Sequence, residues 1–108
     1  MKILYVEDNG VDAYAFVRQL PGHEIHWAEH KTFAFKLLKM HKFDLVVSDY
    51  LGVDVFASRP DFEYLNKHNF LLTSSSVFPQ LEKYRDKFVL KSKLIEKVKE
   101  LIKEFEEK

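Results

Sequence analysis

The 108-residue chain sets 17 basic side chains against 17 acidic ones, with 46% apolar residues and no cysteine. That composition describes one globular domain with a single core. Zero net charge gives no pull towards nucleic acid or an anionic membrane, and the missing thiols exclude disulfides, cysteine nucleophiles and thiolate metal sites.

Strand and helix patterns alternate from end to end. Residues 2–6 form an apolar run that reads as a buried strand, and Gly10, Val11 and Asp12 open a helix that Pro21 and Gly22 stop. A short second strand covers 24–28. Thr32 is the expected cap of a helix over 33–40, with Phe33, Leu37, Leu38 and Met40 on its apolar face. A third strand spans 43–48. Pro60 suits the start of a weak helix near 61–67, and a fourth strand follows at 70–73. Pro79 opens a short helix to about residue 84, before a fifth strand at 88–90. Ser92 is the expected cap of the last helix, whose stripe is Leu94, Ile95, Val98, Leu101, Ile102 and Phe105. Strict alternation of five strands and five helices is the pattern of a doubly wound α/β sheet. No apolar run approaches the ~20 residues of a membrane span. The chain enters a strand pattern straight after Met1, so no signal peptide is expected and a cytoplasmic location is the default.

The chemistry lies where the strands end. The first apolar run ends in Glu7 and Asp8, the third in Asp49, the fourth in Thr73 and Ser74, and the fifth in Lys91. Parallel strands fed by helices point the same way, so these residues converge on one edge of the sheet. Three crowded carboxylates call for a cation. A hard divalent ion with oxygen ligands, Mg²⁺, is the natural one, and it commonly accompanies phosphate.

In this order, "ILYVEDN", "FDLVVSDY", "LLTSS" and "FVLKS" resemble the strand ends of the receiver domain of two-component response regulators, over the whole chain. The resemblance implies a flavodoxin-like five-stranded parallel sheet of order 2-1-3-4-5 with helices on both faces. It also implies roles. Asp49 accepts a phosphoryl group from a phosphohistidine on a histidine kinase or phosphotransfer protein. Glu7, Asp8, Asp49 and the backbone carbonyl of Leu51 hold Mg²⁺. Thr73, Lys91 and the backbone N–H of Ser74 contact the phosphoryl oxygens, and Thr73 with Phe88 makes the switch, with Ser74 the alternative hydroxyl residue to Thr73. The implied output is contact with a downstream protein, with a homodimer left open and with no direct role for nucleic acid or membrane. The outermost position of the second strand makes Trp27 an expected poor reporter of the site.

The chain also departs from that family. The segment after the phospho-accepting aspartate reads Tyr50, Leu51, Gly52, Val53, Asp54 and Val55, without the proline usual there, and Ser92 stands where a proline normally follows the lysine. Short spacings from Asp49 to Thr73 and on to Lys91 imply trimmed third and fourth helices. Aromatic residues at Phe56, Phe62, Tyr64 and Phe78 suggest a partner surface. His26 and His30 share a four-residue spacing but fall across a strand end and a loop, which favours surface histidines over a metal pair. We expect a stand-alone receiver, or one excised from a longer chain. The alternatives are a receiver-like scaffold that binds partners without phosphorylation, a Mg²⁺-dependent phosphatase, and a flavin carrier. Leu51 stands where such a phosphatase has a second aspartate, and Glu7, Asp8 and Asn9 stand where the flavin carrier needs a phosphate loop.

Overall fold

Five strands, all parallel, form one sheet in the order β2-β1-β3-β4-β5. They are β1 (Lys2–Val6), β2 (Glu24–Ala28), β3 (Leu45–Asp49), β4 (Phe70–Ser74) and β5 (Phe88–Leu90). The structure, a computed structural model, describes residues 1–49, 69–75 and 86–107. The helices expected near 61–67 and 79–84 lie outside the described residues, as do Leu51, Phe56, Phe62, Tyr64 and Phe78. Among the described residues are three α-helices: α1 (Gly10–Arg18), α2 (Lys31–Met40) and α3 (Leu94–Glu106). None of these helices is long and apolar enough to cross a membrane.

The inner strands carry continuous apolar runs because both of their faces are covered. Alternate residues divide between two cores. Leu4, Val6, Val46, Phe70 and Leu72 pack under α2, against Ala34, Leu37 and Leu38. Ile3, Tyr5, Leu45, Val47 and Leu71 pack under α1 and α3, against Ala13, Phe16, Leu94, Val98 and Ile102. The Tyr5 and Phe16 rings stack 4.1 Å apart and pin α1 to the middle of the sheet. This is the doubly wound arrangement that the alternating pattern and the resemblance together imply.

The helix starts differ from expectation in instructive ways. α1 is capped by Asn9, whose Oδ1 accepts from the backbone N–H groups of Val11 (2.9 Å) and Asp12 (3.2 Å). α2 is capped by His30 rather than Thr32, because the imidazole Nδ1 reaches the Phe33 N–H at 3.3 Å. The inward face is Ala34, Leu37 and Leu38, an i, i+3, i+4 set, while Phe33 and Met40 lie to one side of it and are exposed, Met40 at 66%. Ser92 does not cap α3 either. It lies inside a 3₁₀ turn, Lys91–Lys93, that leads directly into the helix, where Lys93 provides no side-chain cap. The stripe of α3 is inward as expected at Leu94, Val98 and Ile102, whereas Phe105 is exposed. β3 starts two residues later than expected and includes Asp49, which pairs with Thr73 in the register with β4.

Candidate metal centre

The strand ends bring the acidic residues together. Glu7 follows the last residue of β1, and its backbone N–H donates to the Ala28 carbonyl at 3.0 Å. Asp49 closes β3. Glu7 is 1% exposed and Asp49 is 6% exposed. One carboxylate oxygen from each of Glu7, Asp8 and Asp49 lies within 4.8 Å of the other two. Lys91, just past β5, reaches into the group. Its Nζ donates to Glu7 Oε2 at 3.1 Å and to Asp12 Oδ2 at 3.1 Å, and stands 3.9 Å from Asp49 Oδ2.

Glu7 is the most constrained of these groups. Tyr5 Oη donates to its Oε2 at 3.4 Å, and the Asn9 N–H donates to its Oε1 at 3.1 Å. Burial pushes its carboxyl up to about 7, and the neighbouring Asp49 charge adds to that, while hydrogen bonds from Lys91 and Asn9 pull the other way. Burial also raises the Tyr5 hydroxyl, helped by the charges of Glu7, Asp12 and Asp49, so it stays a donor. For Lys91, burial alone lowers the ammonium's pKa, but the hydrogen bonds it donates to Asp12 and Glu7 outweigh it and the net shift is upward. Thr73 is fully buried, and its Oγ1 has no hydrogen-bond partner among the described residues. A buried hydroxyl left in that state costs about 1–3 kcal/mol.

Solved structures of similar shape point one way. A response regulator from Thermotoga maritima superimposes with a TM-score of 0.70 at 22% identity, covering 94% of this chain and 97% of that one. The N-terminal domain of a response regulator/sensory box/GGDEF 3-domain protein from Carboxydothermus hydrogenoformans gives 0.72 at 20% identity, over 95% and 91%. The signal receiver domain of a DNA-binding response regulator from Colwellia psychrerythraea 34H gives 0.66 at 17% identity, over 95% and 98%. This chain has the fold of a response-regulator receiver domain. No family model matches it, and no curated protein does.

On this receiver fold the side chains sort by face. Asp49 pairs with Thr73 and Thr73 with Val89, so Thr73 shares the α1–α3 side with Leu71 and Val89. Ser74 is buried at the end of the same strand. Phe88 pairs with Leu72 and packs against the core under α2. Thr73 and Phe88 therefore face opposite sides of the sheet. The two histidines are apart as well. His26 Nε2 meets Glu24 Oε2 at 2.7 Å and its ring lies against His41, while His30 caps α2.

Sequence reasoning missed three residues of the site. Tyr5 reads simply as a strand residue, yet it carries a hydroxyl to Glu7. Asp12 reads as a helix starter and does lie in the first turn of α1, but its carboxylate also reaches Lys91. Trp27 reads as remote because β2 is outermost, yet its Nε1 donates to the Glu7 carbonyl at 2.7 Å. Its ring lies over the start of α1, where a Cβ on Gly10 would stand 3.6 Å from Cη2. The signal was available: β2 borders β1 in the implied order, and Trp27 pairs with Tyr5, two residues before Glu7.

Proposed function

We infer that the protein is a phosphorylation switch in which Asp49 accepts a phosphoryl group in a Mg²⁺-dependent reaction. The observation that carries this reading is the meeting of Glu7, Asp8 and Asp49 oxygens within 4.8 Å, with the Lys91 ammonium 3.9 Å from Asp49 Oδ2. Such a donor set, three carboxylates with one kept from comfortable ionisation by burial, fits a hard cation with oxygen ligands. Glu7, Asp8, Asp49 and the Leu51 carbonyl would hold it. When bound, Mg²⁺ supplies positive charge that offsets the crowded carboxylates and the oxygens of the transferring group.

The chain's own residues do the rest. Asp49 Oδ attacks phosphorus. An Oδ–P bond forms as the bond from phosphorus to the donor breaks, and the electron pair leaves with the donor. Charge spreads over three phosphoryl oxygens during transfer, so positioning and cations account for most of the catalysis. Lys91 pairs with one oxygen. The Thr73 hydroxyl turns to donate to another, and the Ser74 N–H donates nearby. The donor is the phosphohistidine of a histidine kinase or phosphotransfer protein, in the cytoplasm, and the output is contact with a downstream protein.

Acetyl phosphate with Mg²⁺ tests this by intact mass. Wild type is expected to gain one phosphoryl group and Asp49→Asn none. A wild type that gains none favours a second reading, a receiver-like scaffold that binds partners constitutively. The Lys91 anchor on Glu7 supports that alternative, since it neutralises the most buried carboxylate without a metal.

A further inference from the structure

Lys91 has two close partners of very different kinds. Glu7 is almost wholly buried, and a carboxylate there that loses its counter-ion is left uncompensated in a low-dielectric site. The Asp12 side chain is 37% exposed and lies in the first turn of α1, where solvent and the helix dipole both stabilise a negative charge. Asp12 therefore releases Lys91 at little cost, and Glu7 does not. A cleft of about 170 Å³ lined by Tyr5, Asp12, Phe16, Lys91, Leu94 and Ile95 leaves room for water to take the place of the ammonium at Asp12.

We propose that Asp12 is a positioning residue that competes with the phosphoryl group on Asp49 for the Lys91 ammonium. Before phosphorylation, Asp12 draws Lys91 towards α1 and keeps it 3.9 Å from Asp49 Oδ2. After phosphorylation, Lys91 leaves Asp12 for a phosphoryl oxygen. Asp12 thereby lowers the affinity of the site for the phosphoryl group and couples its arrival to the first turn of α1. The exchange rests on the phosphorylation reading given above.

Beryllofluoride, whose beryllium bonds to an aspartate oxygen and whose fluorines stand for phosphoryl oxygens, gives an equilibrium test in excess Mg²⁺. Binding is followed by NMR for wild type, Asp12→Asn, Asp12→Glu, Lys91→Met and the Asp12→Asn, Lys91→Met pair. Asp12→Asn is expected to bind about 2–5-fold more tightly, the size of a partly exposed ion pair. Asp12→Glu restores wild-type affinity. The gain disappears in the Lys91→Met background, as a double-mutant cycle requires of a contact. A second measurement needs no Lys91 variant. The Lys91 ε-methylene resonance moves on beryllofluoride addition in wild type, and in free Asp12→Asn it already lies part of the way there. Equal affinities in wild type and Asp12→Asn overturn the competition, and so does a gain that persists without Lys91, which marks a general field effect. A wild type that takes up neither beryllofluoride nor a phosphoryl mass defeats the phosphorylation reading itself, a result distinct from a phosphorylated wild type that Asp12→Asn matches.

Discussion

Replacing Glu7 by glutamine should remove a pH dependence from the stability of the Mg²⁺-free protein. Glu7 is 1% exposed, and its carboxyl is raised from its ordinary 4.5 to about 7. Between those two values the folded state holds a proton that the unfolded chain has released. Stability therefore falls as pH rises through this window, by about 1.4 kcal/mol per pH unit, and levels off above pH 7. The full contribution is about 3 kcal/mol, present below pH 4.5 and lost by the time pH passes 7. Glutamine keeps the shape and has nothing to ionise. Urea denaturation across this pH range, in a chelator, should give a falling curve for wild type and a flatter one for Glu7→Gln. Titrating groups away from Glu7 are common to both proteins and cancel in the difference. Excess Mg²⁺ favours the ionised carboxylate and should flatten the wild-type curve. Wild-type and Glu7→Gln curves that run parallel in chelator would refute the reasoning, because Glu7 would then ionise as readily folded as unfolded.

Two further outcomes follow from the same geometry. Trp27 emission should change on Mg²⁺ titration, since its indole is bonded to the Glu7 carbonyl and lies over the start of α1; Trp27→Phe should lower stability by about 1 kcal/mol through the lost hydrogen bond, and an emission unchanged at saturating Mg²⁺ would separate the indole from the site. Thr73→Val should raise stability by about 1 kcal/mol in denaturant, because it removes a buried hydroxyl that has no partner among the described residues, while weakening beryllofluoride binding; a loss of stability would mean that the Oγ1 is satisfied.

The strand ends were legible because parallel strands leave a plain mark: an apolar run followed by a polar residue. Glu7, Asp8, Asp49, Thr73 and Lys91 each follow or close such a run, and topology does the rest. Helix starts were less legible. Capping depends on which side-chain acceptor reaches an N–H, and an imidazole at His30 does so as well as the hydroxyl at Thr32 was expected to. The Asp12 contact was hidden because it joins a helix to a strand end 79 residues away in sequence, a distance that no local pattern spans. The side of the sheet on which Phe88 lies, opposite to that of Thr73, is visible only in the register. One residue of offset along β5 puts the ring on the other side of the sheet.

The ion pair between Lys91 and Glu7 joins residues 84 apart in sequence, almost from one end of the chain to the other. Lys91 is carried to Glu7 by β5, a strand of three residues that meets the sheet only through β4. None of the earlier strands supplies a counter-ion to Glu7 on its own, so a partly folded or nascent chain has the acids without the lysine. Contacts of such long range form late when loop closure limits folding. On the proposed reading, the lysine that meets the phosphoryl group is put in place only by β5, the last strand of the sheet in chain order.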